Sequence, residues 1–146
     1  MTTYLSLVQV LDLHRRQIRL FGGAHGLRDR GALEAAVARP QMTFGGEDLY
    51  SEIADKAAAL MHSLVMNHPF VDGNKRAGAY ACILFLLANG VEPLFSPAAL
   101  TEITLAVARG GVSAEALSIW LRQRSRQREL GTSSPTPGAR SPWRGR

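Results

Sequence analysis

His68-Pro69-Phe70-Val71-Asp72-Gly73-Asn74-Lys75-Arg76 runs directly into an apolar stretch from Ala77 to Ala88, and the reading of the whole chain turns on that junction. Within nine positions it holds an imidazole, a carboxylate, a residue without a side chain, an amide and two cations. The apolar stretch predicts a helix from Asn74 to Ala88, buried at the centre of the fold, with Asn89-Gly90 as its stop. The motif therefore lies at a helix start, where unpaired N–H groups and the helix dipole favour an anion. A lysine in a first turn opposes that dipole, which makes sense if an anion visits. Lys75 and Arg76 would reinforce a phosphate site, Asp72 could hold Mg²⁺ against phosphate oxygens, and His68 is placed to act as general base.

Working outward, helical periodicity dominates. Ser6 caps a helix predicted from Leu7 to Phe21, stopped by Gly22-Gly23. A short helix follows over Asp29 to Val37, bounded by Pro40. Gln41 to Asp48 reads as a turn with short extended arms around Gly45-Gly46, a candidate lid or substrate guide. Helices are then predicted from Leu49 to Met66, from Ser96-Pro97 to Arg109, and from Ser113 through Arg128. Strand signals are nearly absent. The expected fold is all-α: a compact bundle of about six helices around a buried central one, with a short loop or hairpin flap.

The 146 residues, 46% hydrophobic, suit one domain with a real core over residues 1–128. Residues 129–146 are almost wholly Gly, Ser, Thr, Pro and Arg and are expected to be a disordered tail. The charge of +5 is unevenly spread. Arg122 to Arg146 holds seven arginines and one glutamate, +6, so the rest of the chain is −1. The high pI thus says little about partners. A helix-turn-helix reading fails because Ala77 to Ala88 has nothing with which to read base edges, so no specific nucleic acid is expected. No secretion signal and no apolar run near the roughly 20 residues of a bilayer span are present, and a cytoplasmic location is expected. The lone Cys82 reads as a small buried hydrophobe. His62 reads as a hydrogen-bonded helix histidine, and His14 and His25 lack the sequence neighbours of a zinc site.

Residues His68 to Arg76 resemble the signature of the Fic/Doc family, usually H-P-F-x-D/E-G-N-G-R-x-x-R. The resemblance extends through Gly22-Gly23, Gly26-Leu27, Asp29 and Leu33-Glu34, and looks closest to the death-on-curing (Doc) branch of type II toxin–antitoxin toxins. Lys75 stands in place of the second motif glycine, and Ala79 where Fic enzymes place a second arginine that holds the nucleotide for AMP transfer. Gly73 stands where Doc has alanine. The resemblance implies a Fic/Doc-type helical fold using ATP and Mg²⁺. It implies transfer of the terminal phosphate to a hydroxyl of a translation protein, elongation factor Tu. AMP transfer, or a catalytically silent binding protein, are the alternatives.

On that resemblance His68, Asp72, Lys75 and Arg76 are catalytic, Asp72 is the metal ligand, and Gly73, Asn74, Lys75 and Arg76 hold the nucleotide. Asn74 would bond phosphate oxygens or brace the loop, and Phe70 would pack beneath it. Many Fic proteins carry an inhibitory helix patterned Ser/Thr-x-x-x-Glu-Gly/Asn. No glutamate here is followed by Gly or Asn, so a separate antitoxin is expected, seated as an amphipathic segment in an apolar groove.

Overall fold

The computed structural model describes residues 1–128, so the tail assigned to 129–146 lies outside the described residues. Among the described residues six helices occur in order: α1 Leu7–Phe21, α2 Arg30–Ala38, α3 Ile53–Asn67, α4 Asn74–Ala88, α5 Pro97–Ala108 and α6 Ala114–Gln123. The all-α expectation holds, with sheet among the described residues confined to two small antiparallel pairs. β1 Thr43–Phe44 pairs with β2 Glu47–Asp48, the hairpin expected around Gly45-Gly46. β3 Val91–Pro93 pairs with β4 Ser125–Gln127.

Side-chain oxygens set most helix starts. Ser6, Asp29, Ser96 and Ser113 each accept a first-turn N–H of α1, α2, α5 and α6, an exchange of about 1 kcal/mol per cap. α2 runs into a short 3₁₀ turn, Arg39–Gln41, that contains Pro40.

Two helix boundaries differ from expectation. α3 starts at Ile53 rather than Leu49, because Asp55 accepts the Glu52 N–H at the helix start. The preceding residues serve another purpose. Lys56, 1% exposed, points its ammonium at the Asp48 carboxylate (3.1 Å) and the Tyr50 carbonyl, tying the hairpin base to α3. α6 ends at Gln123, not near Arg128, because Ser125–Gln127 leaves the helix to pair with β3. Arg126 there meets Glu92 at 2.6 Å, while Arg122 stays on α6 and pairs with Asp55.

α3 and α4 share the centre. They cross at Gly78, where a Cβ would lie 2.6 Å from Val65 Cγ2 and 3.2 Å from the Met61 carbonyl oxygen, so only glycine allows this approach. α6 packs on α3, where the Ser118 hydroxyl and Arg122 Nη2 (2.7 Å) both donate to Asp55. α1 packs on α4. α4 is not buried all round: Tyr80 and Leu84 face outward.

Candidate functional site

The motif occupies the loop from the end of α3 to the start of α4, and the chain before α2 holds it in place. The α3 helix ends at His68 in the left-handed region, φ 48 and ψ 57, the one non-glycine positive φ among the described residues. That conformation costs a side-chain-bearing residue about 1–3 kcal/mol and persists only where neighbours impose it. Here they do. The Arg28 guanidinium donates to the carbonyls of Asn67 (2.8 Å) and His68 (2.5 Å). The Arg28 and Asp29 N–H groups both donate to the Pro69 carbonyl, and Val71 N–H donates to the Gly26 carbonyl. His68 stays exposed while Pro69 and Phe70 are buried.

Inside the loop, the buried Asn74 side chain bonds both backbone groups of Phe70: its Oδ1 accepts the N–H (2.9 Å) and its Nδ2 donates to the carbonyl (3.0 Å). Of the two roles expected for Asn74, the side chain takes the brace, and its polar atoms are engaged away from any phosphate. Phe70 lies under the loop, stacked on the His14 ring at 3.7 Å. His14 Nε2 sits 2.7 Å from the Asp72 carbonyl oxygen. A carbonyl only accepts, so Nε2 carries the proton. Burial lowers the His14 pKa, which favours this neutral tautomer.

The Asp72 carboxylate is exposed and accepts from the Ala24 N–H (3.1 Å, Oδ2) and the Gly73 N–H (2.8 Å, Oδ1). Those two bonds, Ala24's first, hold its pKa below the usual carboxylate range. Gly23 makes room for this: a Cβ there would come within 2.7 Å of Asp72 Oδ2 and 3.1 Å of Arg76 Nη2. Gly73 opens α4 at φ 76, and no side chain among the described residues caps that helix, unlike α1, α2, α5 and α6. A first turn without a cap leaves its N–H groups facing outward.

The two motif cations have different surroundings. The Arg76 guanidinium turns back to α1 and donates to the carbonyls of Gln17 (3.2 Å) and Gly22 (2.9 Å). Lys75 is exposed and makes no ion pair among the described residues. Both border a groove of about 320 Å³ between the end of α1, α4 and α5.

Residues 4–86 match the family model described as Fic/DOC family, more than half of the chain. The chain belongs to that family. Over 92 residues it is 50% identical to Toxin Doc of Mycolicibacterium smegmatis, a match covering 63% of this chain and 68% of that protein. Over 120 residues it is 30% identical to Protein kinase doc of Escherichia phage P1, covering 82% of this chain and 94% of that one. The family match takes in α1 to most of α4, the elements that build the motif loop and its braces.

Sequence reasoning missed the supporting residues. Arg28 carries no signal in the sequence beyond its charge, and His14, which falls near the apolar face of the first helix, gives no sign there of a tie to the motif loop. Gly23 and Gly26 stood in the family pattern without a stated job. His62 sits as expected, with Nε2 3.2 Å from the Val112 carbonyl oxygen.

Proposed function

We propose that residues 1–128 form the catalytic domain of a Doc-like toxin that transfers the terminal phosphate of ATP to a protein hydroxyl. The observation that carries this is the start of α4, uncapped among the described residues, in one loop with an exposed imidazole, an ionised carboxylate and an ammonium that makes no ion pair among those residues. The names of the two relatives, a toxin and a protein kinase, support it. So does Ala79, which is buried and offers no cation to hold a nucleotide for AMP transfer.

The residues fit ATP with Mg²⁺. Each Asp72 oxygen accepts one N–H and keeps a lone pair for an ion. Mg²⁺ commonly takes one or two carboxylates together with substrate phosphates and water. Among the described residues no cluster of three or more His, Cys, Asp or Glu offers an all-protein cage. When bound, the ion supplies positive charge to the phosphate oxygens. The first-turn N–H groups of α4 and the Lys75 ammonium would cradle the terminal phosphate, stabilising charge that spreads onto its oxygens in transfer. Arg76 would add its field from its seat on α1. His68 would take the proton of the target hydroxyl as that oxygen bonds phosphorus and ADP leaves. Gly73 leaves the backbone open to close approach.

The target proposed is a protein of the translation machinery, elongation factor Tu, met in the cytoplasm, with a separate antitoxin restraining the enzyme. The test is mass spectrometry of a bacterial translation extract incubated with the protein, ATP and Mg²⁺, beside a His68→Ala control. A gain of about 80 Da on elongation factor Tu, absent from the control, is the expected result. A gain of about 329 Da would assign AMP transfer instead. No modified protein at all would leave a binding role.

A further inference from the structure

We infer that Arg28 is the positioning residue of the general base: by bonding two successive carbonyls at the end of α3, its guanidinium fixes the direction in which the His68 imidazole leaves the loop. This rests on the phosphoryl-transfer reading above and names the residue on which its proton-removal step depends. A catalytic histidine is usually aimed by a third group that bonds its ring. The rings of His14 and His62 have such partners, whereas the exposed ring of His68 has none among the described residues. Its aim is therefore set by its backbone, and the local sequence works against the backbone it has. A residue before proline is driven toward extended conformations, yet His68 sits at φ 48 and ψ 57, a place helix ends commonly give to glycine. Pro69 also lacks the N–H that would bond back onto the last turn of α3.

Arg28 supplies the missing donors. Its Nε reaches the His68 carbonyl at 2.5 Å and its Nη2 the Asn67 carbonyl at 2.8 Å. The planar fork spans both groups at once and sets a positive charge at the negative end of the α3 dipole. The other ties of this segment act further along the loop: the Arg28 and Asp29 N–H groups hold the Pro69 carbonyl, and Leu27 bridges to Phe70. Among the described residues, Arg28 is the one side chain that grips the His68 backbone. Its own backbone is anchored, since its N–H holds Pro69 and the next residue, Asp29, caps α2. With Nε and Nη2 both engaged on carbonyls, Arg28 acts through His68 rather than on phosphate. Without the guanidinium the His68 backbone relaxes toward the extended form and the imidazole swings away. A misplacement of about 1 Å can cost about 10²-fold in rate.

Transfer kinetics of the full chain with purified elongation factor Tu, ATP and Mg²⁺, together with the His68 Cα shift read by NMR, test this. Arg28→Ala should lower kcat and kcat/KM for the protein target together by about 10²-fold. Its ATP affinity should stay unchanged, and the His68 shift should move from its left-handed value toward an extended one. Arg28→Lys, which keeps a charge at the helix end without the two-pronged reach, should recover part of both kcat and the shift. It also carries the test if the alanine variant melts below the assay temperature. An unchanged kcat in Arg28→Ala overturns the inference and spares the phosphoryl-transfer reading. So does a loss of kcat with a matching loss of ATP affinity, or with the His68 shift unmoved, because Arg28 would then serve the phosphate site and not the base. If native protein transfers no phosphate, the phosphoryl-transfer reading fails and the inference with it.

Discussion

Replacing Asn74 by alanine isolates what holds the motif loop in shape. Phe70 is 1% exposed, and its N–H and carbonyl find their partners in the Asn74 side chain, at 2.9 and 3.0 Å. Asn74→Ala leaves both backbone groups buried and unpaired. Each orphaned group costs about 1–3 kcal/mol, and partial relaxation toward water at a loop brings the expected loss to about 2–4 kcal/mol. At about 3–4 °C per kcal/mol for a domain of this size, Tm should fall by roughly 6–16 °C. Asn74→Asp should also be destabilising although it keeps an acceptor for the Phe70 N–H, because it sets a carboxylate oxygen against the Phe70 carbonyl. Urea unfolding of the three proteins gives the energies, and hydrogen exchange at the Phe70 amide reports local opening. A loss below about 0.5 kcal/mol for Asn74→Ala, with the Phe70 amide still protected, would refute the claim that this amide braces the loop.

Three further outcomes follow from the same geometry. His68→Gly should abolish transfer yet leave stability unchanged or raised by about 1 kcal/mol, since glycine adopts φ 48 without strain; marked unfolding in a thermal melt would mean the imidazole also supports the fold. His14 has a lowered folded pKa, so the neutral form is the one the fold stabilises. Its contribution is complete above the unfolded value near 6.5 and declines as pH falls from there through the folded pKa. His14→Gln should therefore flatten part of the stability loss between pH 7 and 5, the remainder belonging to His62, whose pKa burial also lowers. Urea midpoints across that range measure it, and identical slopes in both proteins would count against the assignment. Cys82 is fully buried, with its thiol pushed up to about 12, so it should react with a thiol reagent only as fast as the protein opens.

Much of this molecule was legible locally. α1 and α4 begin and end where Ser6, Gly22-Gly23 and Asn89-Gly90 place them, because caps and helix breakers act within a turn of their own position. The hairpin at Gly45-Gly46 is legible for the same reason. The motif announced its helix start because residues 68–76 are contiguous, so one short stretch brings imidazole, carboxylate and cations together whatever the rest of the chain does. What sequence could not tell is who holds that stretch. Arg28 bonds carbonyls about 40 positions away, Ala24 bonds Asp72 across 48, and His14 reaches the same residue across 58. The Ser125–Gln127 strand was read as helix because its pairing partner, Val91–Pro93, lies more than 30 residues earlier. Hydrogen bonds between distant segments leave no period in the sequence. Only the packing of α1 on α4 and of α4 on α3, which Gly78 lets approach so closely, brings these groups within reach.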